Sequence, residues 1–327
     1  MRAAAGRTNV TVMTSFTHKS VLLDEAVSLL DVRPGGTYID CTTGLGGHSA
    51  AIAERMGKDG QLLCLDQDAE ALEFARTKLA PFGSGVKFVH GNFRELKNIA
   101  EDHGIHEVDG ILMDLGVSSL QLDSAERGFS FGRQGPLDMR MNPTANGDTA
   151  ADIVNSWDES SLAELLKSDG EVRHSRRIAH AIVAARPLVT TWDLAKAVGQ
   201  VAGGAKDRNQ IHPATLVFLA LRIHVNGELD SLTVGLTQAR DLLGFGNTRG
   251  GRIAAISFHS LEDRIVKQFF RREAENCICP KELPVCRCDH RATLRVLTKR
   301  PLRATAAETA GNPRARSALL RGAERIA

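Results

Sequence analysis

One segment near the amino terminus constrains the fold of this chain most strongly. Residues 38–49 read as an apolar strand ending in Asp40, then a turn with Gly44, Gly46 and Gly47, then the start of a helix. A strand, a glycine turn and a helix N-terminus form a nucleotide-binding cradle, because glycine permits positive φ and lets a ligand approach the bare backbone. An ordinary turn is the alternative to this interpretation.

The same segment distinguishes between two classes of nucleotide ligand. A dinucleotide would bring its anionic pyrophosphate to the turn, where Asp40 would repel it. The dinucleotide pattern G-x-G-x-x-G is also broken, because Ser49 stands where the third glycine belongs. S-adenosylmethionine (SAM) instead carries an ammonium and a sulfonium, which Asp40 would attract. The loop therefore favours SAM.

Three further apolar runs follow, with helical patterns between them. The runs are continuous, as in strands that are buried on both faces of a parallel sheet. The predicted strands cover residues 61–65, 86–90 and 110–113, and the predicted helices cover residues 49–56, 69–80 and 93–103. The sequence therefore predicts a doubly wound, Rossmann-like α/β core of the SAM-dependent methyltransferase class.

Polar and aromatic residues follow the ends of these strands. Asp66 comes roughly twenty residues after the glycines, where a carboxylate suits the two hydroxyls of a ribose. Phe93 either lies against an adenine or belongs to the core, and Asp114 ends the fourth strand. Because parallel strands present their carboxyl ends at one edge, we expect these three residues and Asp40 to converge on one crevice.

The parallel pattern stops near residue 124 and resumes near residue 227. Helices are predicted in between, at residues 150–155, 159–167, 172–185, 191–202 and 212–225. The core resumes with a helix at 229–243, a strand at 252–257 and an antiparallel hairpin of residues 293–297 and 317–323. We therefore expect an inserted all-α domain at 124–226 between core parts at 16–123 and 227–327, after a disordered extension at 1–15 within which Met13 is an alternative start.

Seven motifs along the chain resemble those of one bacterial enzyme family. They are residues 18–27 (HKSVLLDEAV), 44–49 (GLGGHS), 114–119 (DLGVSS) with Gln121, 126–131 (ERGFSF), 135–141 (GPLDMRM), 257–264 (SFHSLEDR) and 312–317 (NPRARS). In this order they resemble the bacterial small-subunit ribosomal RNA (cytosine-N4)-methyltransferase family. A single string of this kind arises by chance, whereas seven in order over nearly the whole chain are highly specific.

The resemblance implies a reaction, a partner and a set of contacts. The reaction is SAM-dependent methylation of the exocyclic N4 amine of one cytosine in 16S rRNA, in the decoding centre of the small ribosomal subunit. Carried over by position, the SAM contacts fall on Gly46, Gly47, His48, Asp66, Phe93, Asp114 and Gln121. Residues 41–43 (CTT) and Leu120, which replaces a common proline, depart from the family pattern without removing a polar contact.

Asp114 is the candidate catalytic residue. The amine of cytosine is a poor nucleophile, so an enzyme must align it with the methyl carbon and accept its hydrogens. Amino-methyltransferases generally follow such a residue with prolines and a stacking aromatic, whereas residues 114–117 here read DLGV. The stacking ring must therefore come from elsewhere, for example from Phe129, Phe131 or Phe258. Alternatively, Asp114 only binds the methionine end of SAM.

A basic run in the predicted insertion, residues 173–180 (RHSRRIAH), contains no carboxylate. Phosphate contacts supply much of the affinity for nucleic acids, so Arg176 and Arg177 are candidates for RNA contact. A solvated helix face is the alternative. The formal net charge of +2 indicates local patches rather than a uniformly basic surface, and a second patch comprises residues 299–303 with Arg314 and Arg316.

No apolar run reaches membrane-spanning length, and residues 1–12 lack the apolar core of a secretory signal. We therefore expect a cytoplasmic protein without a membrane partner, and a homodimer stays open. Six cysteines include Cys277-x-Cys279 and Cys286-x-Cys288, which invite a zinc interpretation. Because this spacing is tighter than C-x2-C, reduced surface thiols are the alternative and no metal ligand is assigned.

Two rival functions remain open at this point. One is a SAM-dependent amino-methyltransferase that acts on another nucleic acid, a protein or a small molecule. The other is a non-catalytic RNA-binding assembly factor that has kept the nucleoside pocket. The presence of both Asp66 and Asp114 argues against the second.

Overall fold

The computed structural model describes residues 20–202, 212–245, 249–280, 283 and 285–326. The extension expected at residues 1–15 and the alternative start at Met13 lie outside these ranges.

One mixed sheet organises the described chain. Its strands are β1 (Thr37–Asp40), β2 (Gln61–Asp66), β3 (Val86–His90), β4 (Gly110–Asp114), β5 (Arg252–Ser257), β6 (Leu294–Val296) and β7 (Leu319–Arg325). Their order is β3-β2-β1-β4-β5-β7-β6, in which β1 to β5 are parallel and β7 runs antiparallel to both β5 and β6. The predicted strands and the closing hairpin are thus confirmed.

Helices cover both faces of the sheet. The α-helices of the described ranges are α1 (Leu23–Leu30), α2 (Gly47–Met56), α3 (Ala69–Leu79), α4 (Leu96–Asp102), α5 (Ser119–Asp123), α6 (Ala150–Ser156), α7 (Glu159–Ser168), α8 (Ser175–Ala184), α9 (Thr191–Ala202), α10 (Pro213–Asn226), α11 (Glu228–Leu242), α12 (Ser260–Glu273) and α13 (Ala306–Gly311). The apolar sides of α1, α2 and α3 pack on one face, and those of α4, α11 and α12 on the other. This is the doubly wound α/β fold that the sequence predicts.

Helices α6 to α10 pack around an apolar cluster of their own, which includes Ile153, Leu166, Ile182 and Leu221. Each of these helices carries apolar residues at helical spacing, so their shared interior is stabilised by burial on one side of each helix. Gly227, at φ 56°, connects α10 directly to α11. The chain therefore passes without a linker from this helical cluster back to the sheet.

Two predicted helices begin three residues later in the structure than the sequence indicates. The helix predicted at 172–185 begins at Ser175, because Glu171 and His174 adopt positive φ and break the helical path before it. The helix predicted at 93–103 is a short 3-10 turn, Phe93–Glu95, followed by α4. In the described ranges we find no helix that is both long enough and apolar enough to cross a bilayer.

Candidate functional site

A cavity of about 450 Å³ lies at the carboxyl ends of the parallel strands. Its lining includes Asp66 from the end of β2, Phe93 after β3, Asp114 from the end of β4 and Phe258 after β5. The volume is in the range of small-molecule sites. The structure therefore brings together three of the four residues that were expected to converge.

Asp40 does not reach this cavity, which corrects the expectation drawn from the sequence. Its side chain is fully buried, accepts a hydrogen bond from Ser49 Oγ at 2.6 Å and accepts another from the Thr42 amide at 3.1 Å. Burial raises its pKa to about 6. Because the Ser49 hydroxyl of α2 binds the carboxylate beneath the loop, Asp40 stabilises the glycine turn instead of meeting a ligand.

The glycine turn requires glycine for two different reasons. Gly44 and Gly46 have φ of 50° and 73°, in the left-handed region that side chains disfavour. At Gly47 an added Cβ would overlap Ser20 Oγ, while at Gly46 it would approach Ala75 of α3 to 3.2 Å. Gly44 and Gly47 line the cavity. Gly46, an expected ligand contact, instead packs against α3.

Asp66 lies at the far side of the turn. Its carboxylate accepts a hydrogen bond from the Gly44 amide at 2.7 Å and one from the Asp68 amide at 2.9 Å. Burial is the main reason why its pKa rises to about 6. Each carboxylate oxygen retains a lone pair, so this residue can also accept hydrogen bonds from a vicinal diol.

Phe93 serves both as a cavity wall and as a core residue. Its ring packs so closely on α11 that a Cβ at Gly235 would lie 2.6 Å from Phe93 Cδ2. It also contacts the apolar cluster between the sheet and α4. The two alternatives posed by the sequence are therefore compatible, because a ring held on one face by glycine can present its edge or other face to a ligand.

Asp114 combines burial with an unsatisfied oxygen. Among the described residues its Oδ1 is buried without a hydrogen-bond partner, while Oδ2 lies 3.4 Å from His48 Nδ1. Burial, together with the negative charges of Asp40 and Glu262, raises its pKa well above the usual range. A buried carboxylate with an unsatisfied oxygen is a candidate proton acceptor or a candidate contact for a ligand.

His48 is held in place from both sides of its ring. Its Nε2 lies 3.0 Å from the Val21 carbonyl, which can only accept, so the Nε2–H donates there. The side chain is buried at the first turn of α2. This contact directs Nδ1 toward Asp114, and the two groups can share a proton.

Gln121 lines the cavity, but its amide is bound within the chain. Its Oε1 accepts from the Ser118 amide at 2.9 Å in a capping box at the start of α5. Its Nε2 donates to Asp68 Oδ2 at 2.8 Å, and Arg127 pairs with the same oxygen at 2.9 Å. Gln121 therefore fixes the loop after β4 against α3 in this structure.

The three candidate stacking rings occupy different places. Phe258 lines the cavity next to Gly116. Phe129 is buried in the helical cluster, and Phe131 packs in that cluster against His212 and Phe218 at ring centroid distances of 5.2 and 5.1 Å. Phe258 is thus the one of these three that can reach a ligand in the cavity.

A group of charged residues on the cavity wall was not predicted from the sequence. Arg222 of α10 donates to Glu228 at 2.8 Å, and Glu262 of α12 accepts from the Phe258 amide at 2.8 Å. Burial alone would raise the pKa of Glu262, but the nearby His259 and Arg222 lower it instead. Glu262 therefore stays ionised, and it holds the backbone that carries Phe258. Its place in the first turn of a helix after a core strand was the available sequence signal.

The basic run of the helical cluster lies at the start of α8. Arg173, Arg176 and Arg177 are exposed, and Arg177 donates to the Val201 carbonyl at 3.3 Å. His180 in the same run pairs with Glu159 at 3.0 Å. Arg173 and Arg176 therefore present cationic groups to solvent on this face.

Comparison with known proteins gives one consistent result. Residues 15–326 match the model of the MraW methylase family. A ribosomal RNA small subunit methyltransferase H of Thermomicrobium roseum is 52% identical over 316 residues, covering 96% of this chain and 95% of that protein. Proteins of the same name from Syntrophotalea carbinolica and Geobacter sulfurreducens are each 51% identical, covering 95% of this chain and 98% and 100% of their own lengths.

Proposed function

This chain belongs to the MraW methylase family, and we propose that it is a SAM-dependent methyltransferase that modifies the N4 amine of a cytosine in 16S rRNA of the small ribosomal subunit. We propose the decoding centre as the position of that cytosine. The observation that carries the reaction is Asp114 Oδ1, which is buried beside the glycine turn and has no hydrogen-bond partner in the part of the chain that the structure describes. The relatives' shared name supports the RNA substrate.

The residues around the cavity fit SAM. Gly47 and Ser20 line the cavity so closely together that a side chain at Gly47 would overlap Ser20, and Asp66 offers two oxygens with free lone pairs. We propose that the amides of the glycine turn approach the methionine part, that Asp66 binds the ribose and that Phe93 contacts the adenine. His48 and Gln121 would act by positioning Asp114 and the loop after β4. When bound, SAM supplies an electrophilic methyl carbon.

Asp114 would act on the amine of the target cytosine. An ionised Oδ1 accepts a hydrogen bond from the amine, which aligns the nitrogen lone pair toward the methyl carbon. The proton that the amine releases on methylation then passes to Asp114. His48 lies close enough to Oδ2 to exchange that proton with it. The rival role, in which Asp114 binds only the methionine end of SAM, predicts a loss of SAM affinity instead.

Phe258 would hold the base. Of the three candidate rings, Phe258 is the one that lines the cavity. Its backbone amide donates a hydrogen bond to Glu262, which fixes its position. Stacking on an aromatic side chain is worth about 1–3 kcal/mol per base in single-stranded nucleic acids. We propose that Phe258 supplies the stacking that the DLGV segment after β4 lacks.

The helical region would bind the RNA backbone. We propose residues 124–226 as the substrate-recognition domain, with Arg176 and Arg177 as phosphate contacts. The exposure of both arginines supports this, since phosphate contacts require accessible cations. Action on ribosomal subunits implies a cytoplasmic protein. The homodimer stays a prediction, which sedimentation of the full chain would test.

The decisive experiment uses subunits from a strain that lacks its own enzyme of this kind. Purified chain and labelled SAM are incubated with immature subunits, mature small subunits, free 16S rRNA, DNA and bulk protein, and the RNA is digested for mass spectrometry. We expect N4-methylcytidine at one position. Label in DNA or protein alone would favour the rival methyltransferase, and tight subunit binding without any methylation would favour the assembly factor.

A further inference from the structure

Four cysteine thiols meet in the loop between α12 and β6. The sulfur atoms of Cys277, Cys279, Cys286 and Cys288 all lie within 4.8 Å of one another. The Sγ–Sγ distances are 3.4 Å for Cys277–Cys286, 3.6 Å for Cys286–Cys288 and 3.9 Å for Cys288–Cys277. The four thiols thus form a compact cluster at the protein surface.

These distances are consistent with four ligands of one metal ion and are too long for disulfide bonds. A disulfide needs a separation of about 2.05 Å, and all four cysteines are free. Four thiolates bound tetrahedrally at about 2.3 Å from zinc lie about 3.8 Å from each other. The observed separations cluster around that value. An iron–sulfur cluster would spread the thiolates farther apart, because each would bind a different iron atom.

The backbone of the two C-x-C turns supports the same arrangement. The Ile278 amide, inside the first turn, donates to Cys288 Sγ at 3.4 Å. The Arg287 amide, inside the second turn, donates to Cys279 Sγ at 3.3 Å. Each turn therefore directs its central amide at the last cysteine of the other. Hydrogen bonds of this kind stabilise thiolate charge and orient the ligands of a metal.

We propose that Cys277, Cys279, Cys286 and Cys288 bind one zinc ion as thiolates. The tight C-x-C spacing, which counted against zinc in the sequence, is compensated because the two turns face each other and each contributes two ligands. Binding releases the four thiol protons to solvent and changes no oxidation state. Four sulfur ligands fill the tetrahedral shell and leave no position for substrate, so the ion has a structural role.

The position of the cluster agrees with a structural role. It follows the last turn of α12, whose first turn faces the cavity, and the fourteen residues of α12 extend over about 21 Å. His290 Nε2 approaches the Arg272 carbonyl at 3.1 Å, and Thr293 donates to Glu273 at 2.7 Å. Zinc would therefore fix the two C-x-C turns, at residues 277–279 and 286–288, close to the end of α12.

The test measures metal in the full-length protein, expressed without a metal-affinity tag and purified without chelators. We expect elemental analysis by inductively coupled plasma mass spectrometry to find about one zinc ion per chain. The double variant C277S/C286S should lose it, whereas the control C64A, which removes a buried thiol of β2, should retain it. Zinc-free wild type, iron in place of zinc, or zinc that persists in the double variant would overturn the proposal.

A second measurement uses the wild-type protein, so its result does not depend on whether the double variant folds. Wild-type protein is titrated with a mercurial reagent while a chromogenic chelator reports free zinc. We expect release of one zinc as four thiols react, together with a lower Tm and faster proteolysis within residues 277–291. Cobalt reconstitution should give the intense visible bands of a tetrahedral thiolate site. Release that is independent of thiol modification, or octahedral cobalt spectra, would overturn it.

Discussion

His48 Nδ1 lies 3.4 Å from Asp114 Oδ2, and this pair joins the first turn of α2 to the end of β4. The Val21 carbonyl fixes the other nitrogen of the imidazole at 3.0 Å. One oxygen of the carboxylate is therefore oriented by His48, while Oδ1 is buried without a partner among the described residues. A carboxylate arranged in this way has one oxygen for chemistry and one for orientation.

The variant Asp114→Asn should lose methylation activity by about 100-fold or more, because an amide cannot accept the proton from the amine. SAM affinity should change by only a few-fold, since the side chain keeps its size. Calorimetry of SAM binding and single-turnover methylation check the two quantities separately. Asp114→Ala should abolish methylation. A variant that binds SAM poorly yet turns over normally at saturation would assign Asp114 to SAM binding alone.

Methylation should depend on pH through Asp114. Its pKa is raised, and only the ionised form accepts a proton, so kcat/KM for SAM should fall as pH decreases through that raised value. The acidic limb should therefore lie above about pH 4, the range of an ordinary carboxyl. Residual activity of Asp114→Asn should lack this limb. A limb that is identical in wild type and variant would exclude Asp114 as its source.

Burial of Asp40 should make the free energy of unfolding decrease as pH rises toward neutral. Its pKa is raised to about 6 by burial, so the folded state binds its proton more tightly than the unfolded state. This stabilisation is complete below about pH 4 and is lost as pH rises through 6, a change of about 3 kcal/mol at most. Urea unfolding of wild type and Asp40→Asn from pH 4 to 7.5 measures it. We expect the two curves to diverge over this window; parallel curves would contradict the assignment.

Phe258→Leu should raise the KM for RNA or lower kcat, by about 5- to 100-fold in kcat/KM, because stacking on the target base is lost. Its affinity for SAM should stay near that of wild type. The matched control is Phe88→Leu, which removes a partly buried ring of β3 that does not line the cavity. Equal effects of the two substitutions would indicate general destabilisation rather than stacking.

Reversing the charge at Arg176 and Arg177 should weaken subunit binding and flatten its dependence on salt. Each lost phosphate contact reduces the slope of log affinity against log salt by about one. The control R55E/K58E changes the net charge equally, but lies at the end of α2 away from the cavity. Binding measured over a salt series checks both. An unchanged slope in the α8 variant would refute phosphate contact there.

The sequence by itself determined which segments form the parallel strands and at which edge of the sheet the candidate site lies. Continuous apolar runs specify buried parallel strands, and the carboxyl ends of such strands must meet. Asp66, Phe93 and Asp114 were therefore placed correctly at one cavity. Helical spacing likewise indicated α6 to α10 within one or two residues, apart from the start of α8.

Only the tertiary structure decided which of several equivalent candidate side chains face the cavity. Asp40 and Asp114 both end parallel strands, yet Ser49 binds the first beneath the loop while the second faces the cavity. Phe258 was separated from Phe129 and Phe131 only by packing. The four cysteines meet because two turns, nine residues apart, face each other across a loop. Such contacts join residues that are distant in sequence, so they cannot be predicted from the local sequence pattern.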